Sequence, residues 1–281
     1  MNKERIACLS TLLALSLLPT GCNRGKEPAP DTPPPDAEPA PAAAIEADDP
    51  SDAVSETRQN WVSPATNMEF VWLEDLNLWA GRYEVTNEDY RAKAPDHDSG
   101  RYRDQSLNEN RQPVTRVNFE DAIAFGHWLT EQDREALPAG YAYRLPTEQE
   151  WLAYALCGGE HEYPWGADWP PTSGQAGNYR DATAHGALNI ETDMADYKDG
   201  FAVAAPVEQT WANAWGLHGV GGNVWEACLS DNDHGKPGAW RGASWYNHDQ
   251  RLLKAAYRYV CESGERIDIS GFRLVLAPIA P

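Results

Sequence analysis

Gly222-Asn223-Val224-Trp225-Glu226, Arg241-Gly242-Ala243-Ser244-Trp245 and Gly271-Phe272-Arg273-Leu274-Val275 follow one another in this order in the C-terminal third of the chain. Upstream stands Arg144-Leu145-Pro146-Thr147-Glu148-Gln149-Glu150-Trp151. In that segment Thr147 and Glu150 have the spacing of a capping box, in which hydroxyl and carboxylate satisfy each other's backbone N–H. The spacing predicts a helix that starts after Thr147 and ends near Gly158-Gly159. Working outward, Asn118 is placed to cap a second helix, with Ala122, Ile123, Phe125, Trp128 and Leu129 at helical spacing. Thr86 is suited to cap a short helix over Asn87 to Arg91. Met68 to Trp72 and Pro113 to Val117 read as short strands, and the polar stretch from Pro95 to Arg111 as a loop.

Beyond Pro164-Trp165-Gly166 regular signals thin out into a long run rich in Gly, Asn, Asp and Trp. So long a stretch without elements of its own is unusual in a packed domain. Large aromatics and bound ions would organise it, and the chain has 12 tryptophans. Each offers a large apolar face and one indole donor. No internal repeat is visible.

The first residues are of another kind. Lys3 and Arg5 precede an apolar run from Ile6 to Leu18, and Leu18-Pro19-Thr20-Gly21-Cys22 follows. A charged start, a short apolar segment and small residues read as a secretory signal, too short to span a membrane. The Thr-Gly-Cys ending resembles a bacterial lipobox with Cys22 as the lipidated residue, although Pro19 departs from the usual aliphatic residue. An ordinary signal peptide or an uncleaved anchor is the alternative. Asn23 behind Cys22 favours the outer membrane. Residues 23–58 are rich in Pro, Ala, Asp and Glu and cannot bury enough surface to offset their ordering entropy. The expected organisation is a lipoprotein-type signal at 1–22, a disordered linker at 23–58 and one domain at 59–281. Expected localisation is the cell envelope, at the outer membrane or facing the periplasm, with membrane attachment through Cys22.

Acidic residues number 43 against 23 basic ones, a formal net charge of −20. Nucleic acid is excluded as a partner, because its binding needs basic residues that release counterions. Cys157, Cys228 and Cys261 allow one disulfide with one thiol left over. No Cys-x-x-Cys pair exists, and the seven histidines have no ligand-pair spacing. Gly219-Val220-Gly221-Gly222 lacks the Lys and Ser/Thr of a phosphate loop and reads as a tight turn. No serine stands in a Gly-x-Ser-x-Gly elbow.

Taken together, the four opening segments resemble the formylglycine-generating enzyme (sulfatase-modifying factor) family, over about Met68 to Ala277. The resemblance implies an α+β, elaborated C-type-lectin-like fold with two main helices, short strands and little regular structure. In the family's oxygen-dependent enzymes two thiolates hold Cu(I), which suits soft sulfur ligands, and a sulfatase cysteine becomes formylglycine. Counting three residues beyond Ser244 gives Asn247. The family's Cys-Tyr-Arg-Tyr-x-Cys run reads Ala256-Tyr257-Arg258-Tyr259-Val260-Cys261. Neither Asn247 nor Ala256 can be a thiolate, so copper is not expected and no catalytic residue is assigned.

The same resemblance implies a Cys157–Cys261 disulfide, with two buried free thiols as the alternative; Cys228 reads as a small packed side chain. It implies a calcium site from Asn178, Tyr179, Asp199 and Phe201, whose oxygens suit a hard cation. The alternative is that Asn178 and Asp199 merely cap loops. A second, weak site would use Gly222, Val224 and Glu226, because position 219 is a glycine and supplies no side-chain oxygen. The implied cleft is Ser244, Trp245, Tyr246, Asn247, His248, Tyr257, Arg258 and Tyr259, adaptable polar and aromatic groups of the kind that make recognition surfaces. The segment also resembles the variable region of retroelement-diversified lectin-fold display proteins. The expected function is a non-catalytic module that binds a protein segment or a glycan on a calcium-stabilised scaffold. The alternatives are formylglycine generation by an atypical mechanism and retroelement-diversified display.

Overall fold

The computed structural model describes residues 59–172, 174–232, 235–260 and 264–279. The signal, Cys22, the linker and Cys261 lie outside the described residues. Along the chain come β1 (Trp61–Val62), β2 (Glu69–Leu73), β3 (Leu78–Gly81), α1 (Asn87–Arg91), β4 (Arg101–Tyr102), β5 (Gln105–Ser106), α2 (Phe119–Gln132) and β6 (Tyr141–Arg144). They are followed by α3 (Glu148–Ala155), α4 (Ala182–Leu188), β7 (Trp225–Leu229), β8 (Pro237–Arg241), β9 (Ser270–Gly271) and β10 (Val275–Pro278).

The helices start where their caps require. Thr86, Asn118 and Thr147 each close a full capping box, with Asp89, Asp121 and Glu150 as the returning carboxylates. The end of α3 is equally local: the N–H of Gly158 donates to Ala153 O at 2.9 Å, and Gly158 has φ +71, the left-handed conformation that glycine adopts without strain.

Two sheets receive these helices. The larger has the order β1-β2-β3-β10-β6 and is antiparallel throughout, so the last of these strands in the chain lies between β3 and β6. On β6, the Tyr143 N–H donates to Thr130 Oγ1 of α2 at 3.0 Å, and Gly126 lets the helix approach, since a Cβ there would lie 3.2 Å from Tyr143 O. The smaller sheet, β8-β7-β9, buries every residue of β7. Its core is aromatic: Trp151, Trp225, Trp240 and Trp245 are all buried below 3% exposure. Truncating a buried tryptophan of this kind to alanine costs about 3–5 kcal/mol. Among the described residues no helix is long and apolar enough to cross a membrane.

Three local expectations are corrected. The segment 95–111 is not all loop, because β4 and β5 pair as a hairpin through Arg101↔Ser106 and Tyr102↔Gln105. Pro113 to Val117 is not a strand: only Pro113 bridges, to Thr86, and Arg116 turns the chain at φ 57. Val114 and Val117 are buried as isolated anchors rather than as a strand face. The stretch after Gly166 also contains α4, capped by Asp181, whose Oδ1 accepts from Thr183 N and Ala184 N. Its sequence has no apolar periodicity, so only the cap marks it.

Candidate functional site

The loop after β8 carries the first residues of the expected cleft. Gly242 has φ +94, and a Cβ there would meet Trp151 at 2.9 Å, so only glycine fits. Ala243 follows at φ 65. Ser244 then donates from both its N–H (2.9 Å) and its Oγ (2.7 Å) to Asn247 Oδ1, and Asn247 N–H returns to Ser244 O at 3.0 Å. Asn247 is 3% exposed. Its amide locks a four-residue turn at the position where the resemblance puts a thiol. Ala256 is exposed.

The other residues expected to form a cleft fall into two groups by their contacts. Trp245 and Tyr246 pack with Tyr102 of β4 at ring centroid distances of 5.1 and 5.6 Å. His248 Nδ1 accepts from the Asp193 N–H at 3.0 Å, and burial and Arg180 lower its pKa. In the second group Tyr257 and Tyr259 pack on Trp225 at 5.9 and 5.4 Å, and Tyr259 exchanges backbone hydrogen bonds with Trp240. Arg258 is exposed and grips Glu148 through Nε (2.5 Å) and Nη2 (2.7 Å), while Arg241 holds the same carboxylate from inside at 2.7 Å. The backbone carbonyl of Ala256 accepts from Arg241 Nη1 at 3.1 Å.

The first oxygen cluster is assembled from three loops. Asp199 Oδ2 accepts from Tyr179 N–H and Oδ1 from Phe201 N–H, both at 2.8 Å. Asp199 N–H in turn donates to Asp181 Oδ2 at 2.6 Å, bringing two carboxyl groups together. Burial and Asp181 push Asp199 up to about 8. Asn178 is 1% exposed and spends its Nδ2 on Val203 O and Asn223 Oδ1, both at 2.9 Å, whereas its Oδ1 is buried with no partner. A buried amide oxygen without a partner at Asn178, and two acids brought close in the loops that follow, are oxygen groups of the kind a hard divalent cation takes. Among the described residues no group of three or more His, Cys, Asp or Glu side chains converges, so such a site would depend on amide and carbonyl oxygens.

At the second cluster Glu226, 1% exposed, faces Arg273 at 2.6 Å and also accepts from Trp151 Nε1 at 2.9 Å. Arg273 is fully buried and reaches on to Gly81 O and His218 O. Glu84, a residue that sequence reading passed over, completes this cluster. Its Oε1 accepts from Asn223 Nδ2 at 3.0 Å, and its Oε2 is buried without a partner. A Cβ on Gly219 would lie 2.4 Å from that oxygen. The Glu84 carboxyl therefore occupies the space that a side chain at 219 would need. Burial pushes Glu84 up to about 8, with Arg273 opposing and Glu226 reinforcing the shift.

Cys228 is fully buried and burial raises its thiol pKa, which makes it an inert packed side chain. Cys157 is half-buried with its own pKa raised by burial; its expected partner, Cys261, is outside the described residues. Besides Glu84, sequence reading missed Asp181, Arg180 and Tyr102. Asp181 had a local signal, an Asp three residues before Ala184 in capping position. The others act across the fold and had none.

The family description "Sulfatase-modifying factor enzyme 1-like domain" matches residues 51–278. The formylglycine-generating enzyme of Thermomonospora curvata is 32% identical over 135 residues, 48% of this chain and 35% of that protein. That of Mus musculus is 31% identical over 122 residues, 43% of this chain and 27% of the relative. The matched region thus spans about a third of these relatives' length. Two solved structures share the fold: Treponema denticola variable protein 1 (TM-score 0.53, 19% identity, 78% of this chain and 98% of that one) and PvdO from Pseudomonas aeruginosa (TM-score 0.56, 19% identity, 78% and 97%).

Proposed function

Since the chain belongs to the sulfatase-modifying factor enzyme 1-like family, we propose that it is a non-catalytic member whose cleft binds a ligand, a protein segment or a glycan. The observation that carries this reading is the Asn247 amide, whose Oδ1 accepts two bonds from Ser244 where a copper-binding enzyme would need a thiolate. With Ala256 at the second position, the residues present do not fit copper, whose soft Cu(I) ion needs sulfur ligands. The oxygen groups of Asn178, Asp199 and the Tyr179 and Phe201 backbone would hold calcium, which here stabilises loops instead of reacting. In the same reading the protein is exported and anchored at the cell envelope through Cys22, and Cys157 pairs with Cys261.

The test is incubation of the purified protein, aerobically with copper, with a peptide containing the Cys-x-Pro-x-Arg core on which the family's enzymes act. No mass change is expected. Conversion of the cysteine to an aldehyde at enzymatic rates would overturn the reading in favour of an atypical oxidoreductase. A second reading, retroelement-diversified display, draws on the shared fold of a Treponema protein whose name calls it variable. It fails if no reverse transcriptase and template repeat lie beside the gene.

A further inference from the structure

Among the described residues Arg180 has a buried guanidinium nitrogen without a hydrogen-bond partner. Arg180 directly follows the oxygen cluster, and its N–H donates to Asn247 O at 3.0 Å. Its guanidinium sits 4.7 Å from the centroid of the Tyr246 ring, and its Nε is buried with no partner. Asp193, an acid within its electrostatic reach, places its Oδ2 3.0 Å from His248 Nδ1 instead of on the guanidinium. Burial pulls the Arg180 pKa down, as expected of a cation that has lost water without gaining a full counter-charge.

Its surroundings narrow the choice of ligand. Tyr102, Trp245 and Tyr246 form an edge-to-face cluster beside it. Arg103, exposed in the β4–β5 turn, lies 5.7 Å over the Tyr102 ring. Two guanidinium groups therefore flank one aromatic cluster in a chain of net charge −20. A sugar ring would need an open aromatic face. Here Arg180 covers Tyr246, Arg103 lies over Tyr102, and Trp245 is 1% exposed. A carboxylate needs no such face, since the planar guanidinium fork pairs with it in two parallel hydrogen bonds.

We propose that Arg180, with Arg103 beside it, anchors a carboxylate side chain of an acidic peptide segment in a protein partner. This rests on reading the cleft as a recognition surface. The overall negative charge repels such a peptide at long range, so binding would report local chemistry rather than general attraction.

The test is fluorescence anisotropy of the full-length protein with a labelled, C-terminally amidated peptide carrying four glutamates, against its glutamine counterpart. The glutamate peptide is expected to bind at least tenfold more tightly, and more weakly as salt rises. Arg180→Gln is expected to abolish the difference. Arg103→Gln, at an exposed turn, is expected to lower affinity several-fold. Equal binding of the two peptides, or an unchanged preference in both variants with thermal melting intact, would overturn the proposal. So would tighter binding of a chondroitin sulfate tetrasaccharide with the same Arg180 dependence, which would make the ligand a sulfated glycan. Failure of both peptides to bind removes the acidic-peptide assignment alone. The broader non-catalytic reading falls separately, on cysteine oxidation in the copper assay.

Discussion

Asn178 Nδ2 donates to Asn223 Oδ1 at 2.9 Å and the Asn223 N–H returns to Asn178 O at 2.8 Å, which joins the two oxygen clusters into a single buried network. Asn223 Oδ1 also accepts from Ala205 N–H, and its Nδ2 donates to Glu84. The residue is fully buried at φ 57, a conformation asparagine tolerates better than most residues. Asn223→Ala removes these partners together and leaves polar groups unsatisfied. It is expected to cost about 3 kcal/mol, read as a lower urea midpoint with an unchanged slope.

Calcium binding is expected to give a calorimetric heat when the chelator-treated protein is titrated. Asp199→Ala should remove that heat, because the mutation deletes the one side chain that Tyr179 and Phe201 both address. Absence of heat in the unmutated protein would end the calcium proposal.

Gly219→Ala is expected to be destabilising by about 3 kcal/mol, combining left-handed strain at φ +67 with the collision against Glu84. Shortening Glu84 to alanine in the same chain should recover the steric part. The two changes are therefore expected to be non-additive in thermal melting, and strict additivity would mean that the two residues do not meet.

Glu148 predicts the acid limb of stability. Burial raises its pKa, but the hydrogen bonds and charges of Arg258 and Arg241 outweigh burial and hold it below the ordinary glutamate range. A depressed folded-state pKa contributes stability that is complete above the unfolded value, about 4.3, and lost as pH falls through the folded value. Glu148→Gln should leave Arg241 without a counter-charge and cost about 3–5 kcal/mol at pH 7. It should also flatten the loss below about pH 4. Denaturant melts at pH 7, 5 and 3 separate the two effects.

Asn247→Ala frees the Ser244 N–H and hydroxyl inside the protein. The expected cost is about 2 kcal/mol, read as a lower urea midpoint. Unaltered stability would show that the turn holds without its amide.

Local chemistry was legible and distant chemistry was not. The starts of α1, α2 and α3 could be read because a cap and its returning carboxylate lie within four residues of each other. The hairpin β4–β5 escaped because its strands have two residues each and no alternation to detect. Val114 and Val117 looked like strand residues because burial alone gives the same pattern.

Asn247 and Ala256 are facts of the sequence: without sulfur at those positions no arrangement of this chain makes a two-thiolate copper site there. The caps and the family are likewise written in short, contiguous segments. Only the tertiary structure decided that the Asn247 amide closes on Ser244, that Glu84 fills the space beside Gly219 from 135 positions away, and that Arg180 meets Tyr246 over an unpaired Nε. The physical reason is range: a cap is satisfied by its own neighbours. A buried charge is satisfied, or left wanting, by whatever the packed core brings beside it.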